Sequence, residues 1–230
     1  MAENTIFVKR YPADQDLLPV KESEIWRYAG YMGVPSEDEA GLKKLLGDCI
    51  EELRSAFSYK VCYRRMEVVW ENNEMTTPVK THSSDLKKCL KDSGEAIIFA
   101  ATIGLDIDRF IAKYQRISPA KALLMQAYGA ERIETLCDVF CEDMAKELLK
   151  ESLYLTPRFS PGYGDLPLEK QIDFFELLDC NRQIGISLNE SLLMTPSKSV
   201  TAIMGLSEKC GIHSLNKCEK CQNTDCEFRE

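Results

Sequence analysis

The chain has 230 residues, enough to bury a substantial core, and its formal net charge of −8 argues against a basic nucleic-acid-binding surface. Its content of 44% hydrophobic and 29% charged residues is ordinary for a globular protein, and no apolar run reaches the length of a membrane span. The N-terminal residues lack the basic and apolar regions of a signal peptide, so we expect a cytoplasmic protein.

The first part of the chain predicts a helix followed by a β-hairpin. A capping box at Ser36–Glu39 begins an amphipathic helix that runs to about Phe57. Residues 61–70 are rich in β-branched and aromatic side chains, which predicts a strand. A turn at residues 71–74 then leads into a returning strand at residues 76–81.

A buried strand and the longest helix come next. The continuous apolar run at residues 96–103 predicts the strand, and Asp106 is placed to cap the helix after it. The longest helix begins at Ser118-Pro119, with serine at the cap and proline at the first helical position. Gly129 interrupts this helix, which indicates close approach by another backbone, with a simply tolerated glycine as the alternative.

The most informative segment is the loop Arg158-Phe-Ser-Pro-Gly162-Tyr-Gly164-Asp165. Its glycines carry no Cβ and let backbone N–H groups approach a ligand, and Arg158 supplies a forked donor for a carboxylate or phosphate. Asp165 is a good N-cap for the next helix, with Pro167 in its first turn, and a helix N-terminus favours anions. The alternative interpretation is a surface turn with a helix cap.

Two further strands, at residues 191–195 and 199–206, are predicted on either side of Pro196. The strands and helices follow one another without a regular βαβ alternation. This arrangement predicts an α+β fold.

The order of these segments resembles the reactivation domain of cobalamin-dependent methionine synthase, the part that binds S-adenosylmethionine. The close resemblance covers residues 118–207, with a looser fit at residues 98–111, and it implies a twisted antiparallel sheet with surrounding helices. The segments that carry it are the loop Arg158 to Tyr163, the helix Ile172 to Leu178, the turn Ile184-Gly185, the strand containing Glu190-Ser191 and the turn Pro196 to Val200.

The resemblance implies a function for residues 1–209 as an activation-like domain. Such a domain binds S-adenosylmethionine and supports reductive methylation of a cob(II)alamin held by a separate methionine synthase or corrinoid methyltransferase. Flavodoxin or ferredoxin is the expected reductant. The chain contains no D-x-H-x-x-G corrinoid loop, so we expect the cobalamin to come with the partner.

The resemblance also implies a set of cofactor-binding residues: Arg158, Ser160, Gly162, Tyr163 and Glu134. In this interpretation Arg158 pairs with the cofactor carboxylate, and the loop backbone bonds the adenine and ribose. Glu134 is the acidic side chain from the long helix, with Glu131 as its rival. Tyr163 is alternatively a core aromatic. The reaction needs no protein nucleophile, so no catalytic residue is expected.

Residues 210–230 form a cysteine-rich tail, which the resemblance does not account for. Thiolates at this density suit a tetrahedral zinc site or an iron–sulfur cluster, with His213 as a fifth candidate ligand and free thiols as the alternative. The tail also supports a rival function, a metal-binding or electron-transfer accessory protein without a methyl-transfer role. The four candidate ligands are Cys210, Cys218, Cys221 and Cys226.

The six remaining cysteines are expected to be small buried apolar residues in a reducing cytosol. One pair, Cys137 and Cys141, lies one helical turn apart, and a ligand role for this pair is the alternative. The six are Cys49, Cys62, Cys89, Cys137, Cys141 and Cys180.

Overall fold

The structure is a computed structural model that describes residues 5–13, 16–34 and 40–208. The strands in these ranges are β1 (Phe7–Tyr11), β2 (Tyr59–Glu67), β3 (Val69–Glu71), β4 (Glu74–Thr77), β5 (Ser93–Thr102), β6 (Tyr154–Leu155), β7 (Ser187–Leu188), β8 (Met194–Thr195) and β9 (Ser199–Ser207). The α-helices are α1 (Glu22–Tyr28), α2 (Ala40–Leu53), α3 (Ser84–Cys89), α4 (Asp106–Ile117), α5 (Pro119–Leu148), α6 (Lys170–Leu178) and α7 (Cys180–Ile184).

A five-stranded sheet in the order β1-β2-β5-β9-β6 organises the described residues. Every pairing in it is antiparallel, which confirms the predicted α+β class and the antiparallel sheet. The central strand β5 contains the predicted apolar run, and residues 96–103 are all buried. None of the helices in the described ranges is long and apolar enough to cross a membrane.

Helices cover both faces of this sheet, which explains why β5 is apolar at successive positions from Ala96 to Ala101. Ile97, Phe99 and Ala101 face a core built with α1, α2, α4 and α5. Ile98 and Ala100 face a second core built with α3, α6 and α7. Successive side chains of a strand point to opposite faces, so both sets of positions must be apolar.

Helix α5 begins at Pro119 as predicted, with Ser118 at the N-cap position, but the Ser118 side chain makes no capping hydrogen bond. The prediction for Gly129 is wrong in its cause. A Cβ there would lie 3.1 Å from the Ile107 side chain and 3.2 Å from the Lys198 side chain. Outside the helix itself, the atoms nearest this position therefore belong to side chains.

The other predicted helix ends are partly wrong. Helix α2 ends at Leu53, not near Phe57, because the chain turns and the Ser58 N–H joins the Ile103 carbonyl at 2.9 Å. The capping box Ser36–Glu39 lies outside the described residues. Asp106 does not cap α4; it is the first helical residue, and its carboxylate pairs with Arg109 at 2.8 Å.

Two hairpins also differ in detail from the predictions. The turn after β3 is confirmed, with Asn72 and Asn73 at φ 49° and 68°, but the predicted strand at 61–70 is divided between β2 and β3. The returning strand β4 ends at Thr77. The strand predicted through Glu190-Ser191 is instead the turn between β7 and β8, because the Asn189 side chain accepts the N–H groups of residues 191 and 193.

A buried ion pair fastens the segment before α1 to the middle of α5. The side chains of Glu131 and Arg132 are 1% and 3% exposed and lie 2.5 Å apart. Arg132 also donates to the Leu18 and Pro19 carbonyls, each at 2.7 Å. Glu131 accepts the Lys21 N–H at 3.0 Å. Both charged side chains thus make their full set of hydrogen bonds only when residues 18–21 lie against α5.

We expect Arg132→Leu to lower the free energy of unfolding by about 3–5 kcal/mol, because the Glu131 carboxylate stays buried without its cation. Urea denaturation measures this loss. The control is Arg109→Ala, which removes an exposed ion pair and should cost less than about 1 kcal/mol. Equal losses in the two variants would contradict a special role for the buried pair.

Candidate functional site

The segment before the glycine loop is hydrogen-bonded to strand β9. The Thr156 N–H donates to the Gly205 carbonyl at 2.9 Å, and Phe159 exchanges two backbone bonds with Ile203 at 2.9 and 2.8 Å. Arg158 lies between these attachments. Its backbone position is therefore set by the sheet and does not depend on a mobile connection.

The Arg158 side chain meets two carboxylates of α5. Its Nη2 atom donates to Glu134 Oε2 and to Asp138 Oδ1, each at 3.0 Å. The Arg158 side chain is 17% exposed, against 44% for Glu134 and 40% for Asp138. The guanidinium is thus the most buried member of a charged cluster, and the two carboxylates are partly exposed to solvent.

The segment around α1 completes this cluster. Lys21 Nζ lies 3.1 Å from Asp138 Oδ2, and the backbone N–H of the same lysine is held by buried Glu131. Burial, together with the neighbouring Glu134 carboxylate, raises the pKa of the Tyr28 hydroxyl.

The two candidate glutamates of α5 occupy different environments. Glu131 is buried and bonded to Arg132, Thr135 and the Lys21 backbone. Glu134 is half exposed and faces Arg158. Of the two, only Glu134 lies beside the loop, and Glu131 has a structural role.

The glycine loop uses some of its own N–H groups to hold its shape. The Gly162 N–H donates to the Leu166 carbonyl at 2.9 Å, and the Tyr163 N–H donates to the Ser160 carbonyl at 3.1 Å. Gly162 has φ +86°, a conformation that suits glycine. The expectation that the loop leaves its N–H groups available to a ligand is therefore not met at these two positions.

Asp165 does not cap the helix that follows it, contrary to the prediction. Its carboxylate accepts the Ser84 and Asp85 N–H groups at 2.7 and 3.1 Å, together with the Ser83 and Ser84 hydroxyls. These bonds, led by that from Ser83, hold the pKa of Asp165 well below its usual range. Asp165 instead caps α3, whose free N–H groups lie within its reach.

Gly164 permits this attachment of the loop to α3. It has φ +55°, and a Cβ at this position would lie 2.8 Å from Asp85 Oδ2. The loop is thus bound to β9 at its start and to α3 at its end. Tyr163, between these points, is 67% exposed and meets Phe159 edge-on at 5.4 Å, so the alternative of a core aromatic is wrong.

Sequence patterns missed two members of the charged cluster. Asp138 lies one helical turn after Glu134, and this spacing could have drawn attention to it. Lys21 carries no comparable local signal, because its position depends on the contact between residues 18–21 and α5. Only the folded chain brings Lys21 and Arg158 to the same carboxylate.

The candidate metal ligands of the tail, and His213, lie outside the described residues. The six other cysteines lie in the described residues as thiols outside disulfides, with four buried and two half-buried, which agrees with their predicted packing role. Burial raises the pKa of Cys137, and Cys141 contacts Met204 Sδ at 3.4 Å. No group of three or more His, Cys, Asp or Glu side chains in the described ranges is arranged to hold a metal ion.

Comparison with known proteins identifies the fold and the family. A solved structure described as the crystal structure of the MetH reactivation domain bound to AdoHcy matches with a TM-score of 0.67 and 15% sequence identity. The match covers 88% of this chain and 78% of that chain, and at this identity it shows a shared fold. A search of curated proteins found no match.

A family model covers well over half of the sequence. Its description is the activation domain of vitamin B12-dependent methionine synthase, and it matches residues 86–230. The match includes α5, the Arg158 loop and the cysteine-rich tail. The chain therefore belongs to the family of methionine synthase activation domains.

Proposed function

We propose that this chain binds S-adenosylmethionine between the Arg158 loop and the Glu134 face of α5, and that it supports reactivation of a cobalamin-dependent methionine synthase or corrinoid methyltransferase. The proposal rests on one observation above all. The loop that marks the family is fixed beside a half-exposed cluster in which Arg158 faces Glu134 and Asp138.

The charges of the cluster complement those of the ligand. S-adenosylmethionine carries a carboxylate, an ammonium and a sulfonium, so its net charge is positive. The cluster combines two cations, Arg158 and Lys21, with the carboxylates of Glu134 and Asp138, so it offers groups of both signs to the charged ends of the ligand. Arg158 suits the ligand carboxylate, because a guanidinium matches a carboxylate in a two-pronged bond. Glu134 suits the ammonium.

The loop supplies groups for the nucleoside. The N–H groups of Gly162 and Tyr163 are used within the turn, so contacts to the adenine and ribose fall to the Ser160 hydroxyl, the Tyr163 ring and other backbone groups. An exposed tyrosine offers an aromatic face on which an adenine can stack.

The chain's contribution to the reaction is positioning. One electron and the methyl group of S-adenosylmethionine convert cob(II)alamin to methylcobalamin and leave S-adenosylhomocysteine. Flavodoxin or ferredoxin fits the need for a low-potential electron donor, and a partner corrinoid domain holds the cobalamin. The protein holds the methyl donor in one orientation, which lowers the entropic part of the barrier.

Spectroscopy tests this function. A cob(II)alamin-loaded corrinoid protein is mixed with this chain, S-adenosylmethionine and a low-potential reductant, and the visible spectrum is followed. We expect conversion to methylcobalamin that depends on the chain. Arg158→Ala should reduce the rate about 30-fold at low ligand concentration, because a charge-assisted pair of about 2 kcal/mol is lost.

Arg65→Ala is the matched control for this experiment. Arg65 lies on strand β2 and also pairs with two carboxylates, but these are Glu95 and Glu151, which are not members of the charged cluster. This variant should act like the wild type, and circular dichroism checks that both variants are folded. Equal conversion without the chain, or equal rates for the two variants, would overturn the proposal.

The second candidate function is that of a metal-binding or electron-transfer accessory protein. It is favoured by the four cysteines between positions 210 and 226, a density that suits zinc or an iron–sulfur cluster. A cluster would supply the electron that the cobalt needs. This candidate function does not require the Arg158 loop to bind a ligand.

Elemental analysis of anaerobically purified protein tests the tail. We expect close to one zinc ion or iron–sulfur cluster per chain, because four thiolates complete a tetrahedral set. The double substitution Cys218→Ser and Cys221→Ser should abolish it. Cys89→Ser, which changes a half-buried cysteine of α3, should not. Absence of both zinc and iron from the wild type would leave the tail without a metal role.

A further inference from the structure

Four charged side chains of alternating sign form a row beside the glycine loop. Lys21 contacts Asp138 at 3.1 Å, Asp138 contacts Arg158 at 3.0 Å, and Arg158 contacts Glu134 at 3.0 Å. Asp138 therefore lies between two cations and uses a different oxygen for each, Oδ2 for Lys21 and Oδ1 for Arg158. Its carboxylate is shared.

A ligand carboxylate that binds Arg158 changes the pairing of Asp138. The two carboxylates of α5 both accept from Nη2 of Arg158, so they occupy one terminal nitrogen of the guanidinium. A ligand carboxylate that pairs with the guanidinium competes with Asp138 for that nitrogen. When Asp138 loses its hydrogen bond to Arg158, its charge needs another cation, and Lys21 is already in contact with it.

On the basis of the proposed function, we infer that Lys21 is a positioning residue that determines specificity for the amino-acid end of the ligand. It keeps Asp138 paired when Arg158 exchanges this carboxylate for that of S-adenosylmethionine. Glu134, one turn away on α5, faces the ammonium group of the same ligand. Lys21 acts through Asp138 and makes no contact with the ligand.

The fold keeps Lys21 in place for this exchange. Its backbone N–H donates to Oε1 of Glu131, which is buried, and this hydrogen bond holds the start of α1 against α5. The side chains of Lys21 and Asp138 are 49% and 40% exposed. Their ion pair is thus accessible to solvent, and the carboxylate can move without opening the core.

Calorimetry with two ligands tests the inference. S-adenosylmethionine has the amino-acid end, whereas 5′-methylthioadenosine has the nucleoside and the sulfur but no amino-acid end. We expect Lys21→Met to weaken binding of S-adenosylmethionine about fivefold, the size typical of a partly exposed ion pair. Binding of 5′-methylthioadenosine should be unchanged, a difference that a merely structural defect would not produce.

A double substitution separates action through Asp138 from direct contact. In an Asp138→Asn background the competing charge is gone, so Lys21→Met should have no further effect on binding of S-adenosylmethionine. Lys9→Met is the matched control. This lysine also pairs with a carboxylate of α5, Glu147 at 2.9 Å, farther along the helix. We expect its affinities to equal those of the wild type.

Each outcome bears on a different claim. If the wild type binds S-adenosylmethionine and Lys21→Met binds it equally well, the inference is wrong and the proposed function stands. An undiminished effect of Lys21→Met in the Asp138→Asn background would also overturn it, since the lysine would then act directly. If the wild type binds neither ligand, the proposed function fails, and the inference fails with it.

Discussion

The buried Glu131–Arg132 pair is the interaction on which the geometry of the site depends. A charge without a partner is costly in a protein interior, so both side chains must be fully bonded. They achieve this with backbone groups of Leu18, Pro19 and Lys21, far away in sequence. The same contacts fix where α1 begins, and they bring Lys21 and Tyr28 toward the face of α5 that bears Glu134 and Asp138.

Helix α5 thus carries the buried ion pair and the carboxylates of the candidate site on neighbouring turns. Glu131 and Arg132 are used for anchoring, and the next turns present the half-exposed carboxylates to Arg158. The loop that contains Arg158 is held in turn by β9 and, through Asp165, by α3. Three elements therefore define one small charged cluster before any ligand arrives. Such preorganisation reduces the entropy that binding must offset.

Much of this fold could be predicted from local sequence. The apolar run of β5 is a strong signal because burial on two faces requires apolar residues at successive positions. The start of α5 is a strong signal because the fixed φ of Pro119 suits the first helical position. The Arg158 loop was recognisable from its glycines and its arginine. Glu134 could be proposed from the resemblance, whereas its preference over Glu131 depends on burial, which the helical pattern alone does not specify.

The wrong predictions arose where a side chain found a different hydrogen-bond partner from the expected one, in some cases a distant partner and in others a local one. Asp165 has the residue type of a local helix cap, but it caps α3 because the fold brings the N–H groups of Ser84 and Asp85 to it. Glu190 was expected in a strand, but the Asn189 side chain closes a turn there. Lys21 gave no signal at all, because its role depends on a contact between distant segments.

Membership of the activation-domain family and the charged cluster beside the Arg158 loop lead to one central claim: this cluster binds the amino-acid end of S-adenosylmethionine. A crystal structure of the chain with S-adenosylhomocysteine tests it most directly. The account predicts the ligand carboxylate on the Arg158 guanidinium, its ammonium at Glu134, and Asp138 paired with Lys21 alone. A ligand bound elsewhere, with Arg158 still joined to both α5 carboxylates, would contradict the account.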